Sequence, residues 1–156
     1  MNKQLILDQI VATLSAELAA LTRAANTAFA AATDPDSKAE NKYDTRSLEA
    51  SYVARGQAQR VAELQEAVHA FSAMSGQDFS EDSVIGLGSL VTLQTNSQTS
   101  HYFIATHAGG TEVEHEGNEV FVITPASPLG QKLMGRRTED IIEMRAGLSA
   151  KVVAVR

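Results

Sequence analysis

One periodicity constrains this chain more than any other feature. Apolar residues recur in alternating steps of four and three: Leu7, Val11, Leu14, Leu18, Leu21, Ala25, Ala28. A second set keeps the same rhythm through Tyr43, Ser47, Ala50, Ala54, Gln57, Val61, Leu64, Val68 and Phe71. Such spacing lays one continuous seam along a helix, the pattern of a coiled coil. The surrounding residues are Ala, Leu, Glu, Gln and Arg, all good helix formers. A short connection makes two such helices antiparallel neighbours, so residues 1–75 read as a helical hairpin. The first helix, from about Leu5 to Ala32, spans about 42 Å at about 1.5 Å per residue. The seams are graded. They hold Leu, Val and Phe near the ends of the segment and fade to Ala and Ser towards the connection. A large apolar side chain gains about 1.5–3 kcal/mol on burial and alanine far less, so the hairpin is expected to be anchored at its base.

Residues 76–83 are polar and read as a linker, after which the period changes. Five short stretches rich in β-branched residues, 84–93, 101–106, 119–124, 140–144 and 151–155, read as strands. Gly109-Gly110 and Gly117-Asn118 mark turns between them. Only residues 127–134 break the series. Ser127 suits an N-cap, Pro128 the first helical position, and Gly135 the stop. The fold class is therefore α+β, a helical hairpin followed by a small sheet domain with one short helix over 84–156.

Composition narrows the function. A net charge of −6 disfavours a general role in gripping nucleic-acid backbones. The absence of cysteine removes disulfides and thiolate chemistry and fits a reducing compartment. Asp8 and Gln9 interrupt any signal-peptide core, and no apolar run approaches bilayer-spanning length. The chain reads as soluble and intracellular. His69, His101, His107 and His115 form no close pair at metal spacing. Ser127 lies outside any G-x-S-x-G context, which argues against a nucleophile.

Between the two helices lies the polar run T-D-P-D-S-K-A-E-N-K-Y-D, residues 33–44, with four carboxylates. Helix-start chemistry accounts for some of them. Asp34 before Pro35 suits an N-cap, and Ser37 with Glu40 alternatively forms a capping box. Arg46, Arg55 and Arg60 on the second helix read as a solvated face, with contact to RNA or to a channel wall as the other account.

The run from Ile123 to Met144 resembles the C-terminal signature of the Gre family, bacterial transcription elongation (transcript cleavage) factors. The residues that carry the resemblance are Ile123, Pro125, Ser127, Pro128, Leu129, Gly130, Leu133, Gly135 and Asp140. Residues 88–93 resemble the start of the same domain. Glu40-Asn41-Lys42-Tyr43 resembles the acidic tip of the Gre hairpin, one residue shorter before the tyrosine. With domain order included, the likeness spans nearly the whole chain.

The resemblance implies an N-terminal antiparallel coiled coil and a C-terminal domain of FKBP-like fold. It implies a protein that is not itself an enzyme. The C-terminal domain would dock at the rim of the RNA polymerase secondary channel, with Ser127, Pro128 and Leu129 at or near the docking surface. The coiled coil would reach the polymerase active site and help hold a Mg ion there, so that the polymerase hydrolyses the 3′ end of backtracked RNA. Glu40 falls on a family acidic position, with Asp34, Asn41 and Asp44 as supporting tip residues. The second family acid falls on Ser37, and Asp36 is the nearest carboxylate that could replace it. Either a neighbouring acid substitutes, or the protein is a channel-binding regulator that competes with other factors without promoting cleavage. A folding helper built on the sheet domain is a third reading, weakened by the scarcity of aromatic residues. A cytoplasmic monomer without a tightly bound cofactor is expected, because the hairpin satisfies its own seam.

Overall fold

The computed structural model describes residues 1–33, 46–76, 79–80, 83–96, 98–144 and 147–156. Two helices come first, α1 (Lys3–Thr33) and α2 (Arg46–Ser72). They are followed by β1 (Leu90–Gln94), β2 (Thr99–Ile104), β3 (Glu112–His115), β4 (Asn118–Ile123), α3 (Pro128–Leu133), β5 (Ile141–Glu143) and β6 (Ser149–Val155). The chain divides into two compact units. One comprises Met1–Ala12 with Ala70–Arg156, the other Thr13–His69.

The helical unit obeys the seam. Between Thr13 and Thr27 only Leu14, Leu18, Leu21 and Ala25 are shielded from solvent. On α2 the shielded positions include Ala54, Gln57, Val61, Leu64 and Val68. Arg60 pairs across the helices with Glu17 at 3.6 Å and along its own helix with Glu63 at 3.5 Å. An early position on α1 thus meets a late one on α2, as an antiparallel pair requires. The gradient also holds: Leu14 and Leu64 are buried, whereas Leu18, Leu21, Ala54 and Gln57 are only partly covered.

In the other unit, α1 opens on a side-chain cap. Asn2 Oδ1 accepts from the Gln4 and Leu5 amides at 3.0 and 3.3 Å, satisfying N–H groups that the first helical turn leaves without partners. One sheet, ordered β3-β4-β2-β1-β6-β5, forms the body of the unit. All its pairings are antiparallel except β2 with β4. Register sorts its side chains. Leu90, Phe103 and Val122 lie in line across three strands, beside His101 and Val120. Phe71 meets this face through Phe103, with ring centroids 5.9 Å apart. The opposite face holds Val91, Leu93, Ile104 and Val152, packed with Ile85, Ile142 and Leu133 of α3.

Three expectations change. The strand expected over 84–93 begins only at Leu90, because Gly88 sits at φ 80° and turns the chain. The short strand β3 was not among those expected. It pairs with β4 through a two-residue turn whose central residues, Glu116 and Gly117, both have positive φ (53° and 74°). That conformation matches the right-handed twist of a hairpin. Finally, residues 3–27 of α1 are long and apolar enough, at mean hydropathy 1.5, to match a membrane span by length and composition. Leucine, isoleucine and valine set this value, with alanine adding to it. Asp8, Glu17 and Arg23 interrupt the stretch, and four of its large residues, Ile6, Leu7, Ile10 and Leu14, are buried, whereas Leu5 is exposed.

Candidate functional site

The segment from Ile123 to Met144 is built as a strand end, a capped helical turn and a return to the sheet. Ser127 is the N-cap of α3 and Pro128 its first residue. Ser127 Oγ accepts from the Gly130 amide at 3.0 Å and donates to the Thr124 carbonyl at 2.7 Å. Gly130 must lack a side chain, since a Cβ there would collide with the Thr124 carbonyl oxygen and stand 2.9 Å from Ser127 Oγ. Leu133 is fully buried. Gly135, at φ 77°, turns the chain so that its amide reaches the Ile85 carbonyl at 2.9 Å. Asp140 caps the following turn by accepting from the Arg137 amide at 3.0 Å. Ile123 continues β4, and its carbonyl accepts from Ala105 at 3.0 Å.

These bonds give most of the segment a structural task. Pro128 and Leu129, with Ser127, also line an open groove of about 500 Å³ together with Ile123, Lys132, Met144 and Leu148. Its walls are apolar and carry no aromatic ring. Leu148, at the groove wall, is 57% exposed. Lys132 supplies the charge, its ammonium donating to the Glu143 carbonyl at 2.7 Å. Such a site suits an apolar side chain or segment, and the described residues that line it include no carboxylate. The structure thus places Ser127, Pro128 and Leu129 together on the groove, with Ser127 also holding the turn. Ile123, Lys132, Met144 and Leu148 were not anticipated as lining residues. Leu148, an apolar residue just after Gly147 in a turn region, is the one signal that could have drawn attention.

The tip residues Asp34, Asp36, Ser37, Glu40, Asn41 and Asp44 lie outside the described residues. Among the described residues no three His, Cys, Asp or Glu side chains come together as a metal site. His101 and His115 are buried on the sheet face that meets Phe71. His101 Nδ1 lies 3.1 Å from Thr92 Oγ1. Burial pushes the His101 pKa below the usual histidine value; a bond to Asn118 opposes this and the Met1 ammonium adds to it. Arg60, held in its two ion pairs, belongs to a solvated helix face.

No family model matches the sequence, and no curated protein matches it. Similar solved structures exist. GreA factor homolog 1 (Gfh1) of Thermus thermophilus is 21% identical, with 94% of each chain covered and a TM-score of 0.38. Gfh1 of Thermus aquaticus is 21% identical, with 92% of each chain covered and a TM-score of 0.39. The prokaryotic transcription elongation factor GreA/GreB from Nitrosomonas europaea is 22% identical over 64% of this chain and 78% of its own, with a TM-score of 0.35. The chain is similar to each of these transcription factors, at an identity of 22% or less.

Proposed function

We propose that this chain is an accessory factor of bacterial RNA polymerase of the Gre type, acting in the cytoplasm as a monomer. The sheet unit docks through the α3 groove, with Pro128 and Leu129 as contact residues. The helical pair carries residues 34–44 into the secondary channel. There Glu40, with Asp36, helps hold a Mg ion while the polymerase hydrolyses the 3′ end of backtracked RNA. Hydrolysis by two metals needs the attacking and leaving oxygens clamped together. Magnesium accepts one or two carboxylates and keeps several waters, so a carboxylate delivered from outside can complete a weak second site. The factor supplies ligands and position, and the polymerase supplies the catalytic centre.

One observation supports this reading above the others. In the Gre-like signature, Gly130, Leu133, Gly135 and Asp140 hold the fold, while Pro128 and Leu129, next to the cap residue Ser127, line an apolar groove. The test is incubation of backtracked elongation complexes with the protein and magnesium. Shortened RNA is expected, and Glu40→Ala should remove most of the effect. A second reading is favoured by Ser37, which stands where the family pattern has an acid. A serine hydroxyl can bind magnesium but contributes no charge. Absence of shortening, with displacement of a cleavage-competent factor, would make the protein a channel-binding regulator. Absence of any affinity for polymerase would remove both readings.

A further inference from the structure

Among the described residues, strand β5 ends the sheet, with β6 as its one neighbour. The Asp140 carbonyl accepts from the Val152 amide at 2.9 Å, and the Met144 amide donates to the Leu148 carbonyl at 2.6 Å. Ile142, midway between them, lies opposite Ala150. Antiparallel alternation therefore turns the N–H and C=O groups of Ile141 and Glu143 away from β6. An outward row of this kind is a template for another strand.

Lys132 holds one member of the row, the Glu143 carbonyl. A lysine over an edge is a common guard against unwanted pairing. The surroundings point further. Ile141 is 68% exposed on this short edge. Lys132 stands between two depressions that share it as a wall. One is the apolar groove reaching Leu129 and Met144; the other, of about 350 Å³, is lined by Lys132, Arg136, Ile141, Ile142 and Glu143. Lys132 and Arg136, two cations of a chain with net charge −6, both line this second depression beside Glu143.

We propose that the β5 edge accepts an extended segment of a partner protein by strand addition. The segment carries an acidic and an apolar side chain two positions apart. Side chains with that spacing share one face of a strand. The apolar one enters the groove beside Leu129 and Met144, and the carboxylate meets Arg136. Lys132 releases the Glu143 carbonyl to the incoming backbone and turns to the carboxylate. A helix would leave the outward groups of Ile141 and Glu143 unpaired, so an extended partner fits better. The segment would share the Leu129 groove with the proposed polymerase docking, so the two exclude one another, and the peptide test does not depend on polymerase.

The probe is a short blocked peptide with aspartate and leucine two positions apart and threonine elsewhere, alongside a counterpart with lysine for aspartate. Each is titrated into the isotope-labelled full chain and followed by amide NMR. Saturable shifts at Ile141 and Glu143 are expected below about 1 mM peptide, with slowed exchange of both amides. The lysine peptide should bind at least tenfold more weakly, and Lys132→Glu should weaken the aspartate peptide at least tenfold. Ile141→Pro should abolish binding, because it removes an outward N–H; unchanged Ala150 and Val152 signals confirm that β6 pairing persists. Should that variant misfold, Lys132→Glu and the peptide pair decide. No saturable shift, equal affinity for both peptides, or shifts that spare Ile141 and Glu143 would overturn the proposal and leave Lys132 an edge guard. Concentration-dependent shifts at these amides without peptide would overturn it in favour of a second copy of the chain.

Discussion

Gly130→Ala has a sign that separates two accounts of α3. Judged as a helical position alone, alanine is better than glycine by about 1 kcal/mol, so the variant would be more stable. The geometry predicts the reverse. The new methyl group meets the Thr124 carbonyl oxygen, which cannot retreat freely because it accepts from the Ser127 amide at 3.0 Å and from Ser127 Oγ at 2.7 Å. It also stands 2.9 Å from Ser127 Oγ, the atom that caps the helix. Overpacking of a close contact costs about 1–3 kcal/mol and a weakened N-cap about 1 kcal/mol. Subtracting the propensity gain leaves a net loss of about 1–3 kcal/mol. Urea titration of the full chain, read from β1 and β2 amide signals, should show the midpoint falling by roughly 1 M for a slope of about 1–3 kcal/mol/M. Ser127→Ala should cost about 1 kcal/mol. The double variant should cost less than the sum, since both changes act through one hydroxyl. A stabilised or unchanged Gly130→Ala protein would refute the close-packed turn.

Other outcomes follow from burial and backbone conformation. Leu14→Ala should destabilise the helical unit by about 2–5 kcal/mol, because Leu14 is fully buried; Leu21→Ala, partly covered, should cost clearly less. Equal losses of helical circular dichroism stability in the two variants would contradict the graded seam. Glu116→Asn should stabilise the sheet unit by about 0.5–1 kcal/mol, since Glu116 holds a positive φ that asparagine adopts more readily. A lower urea midpoint would show that the 3.7 Å contacts of Glu116 with Met1 and His115 outweigh the backbone term. The depressed pKa of His101 means that the unfolded chain binds its proton more readily. Stability should therefore fall as pH drops below the ordinary histidine value of about 6.5 towards the lower folded value. Urea midpoints between about pH 7.5 and 5.5 should fall less for His101→Gln, and equal slopes would count against this linkage.

What was legible depended on how local the cause was. The seam is written in residue spacing, so Leu14, Leu18, Leu21 and Leu64 were placed correctly without reference to the rest of the chain. The cap of α3 was equally local, read from Ser127 and Pro128. Strand β1 was drawn too long because Val84, Ile85 and Leu87 look β-prone, yet Val84 and Leu87 are half exposed before a turn at Gly88. Strand β3 escaped because glutamate has low strand propensity, and Val113 is its only large apolar residue. Its pairing is set by the Glu116-Gly117 turn. The parallel contact of β4 with β2, the packing of Phe71 on Phe103, and the burial of His101 and His115 depend on residues distant in sequence. Site residues divided in the same way. Ser127, Pro128 and Leu129 came from a contiguous motif, whereas Met144 and Leu148 reach the groove only through folding. Glu40 and Asp36 rest on the resemblance of the tip.

Docking of the sheet unit on RNA polymerase through the α3 groove is open to direct measurement. The direct measurement is equilibrium binding of the full chain to bacterial RNA polymerase, compared with Leu129→Asp. Leu129 lines the groove and is only partly buried, so the variant should keep its fold, as amide signals of β1 and β2 can verify. Saturable binding is expected, weakened by Leu129→Asp at least tenfold, about 1.4 kcal/mol. No affinity for polymerase, or equal affinity in a folded Leu129→Asp protein, would contradict it.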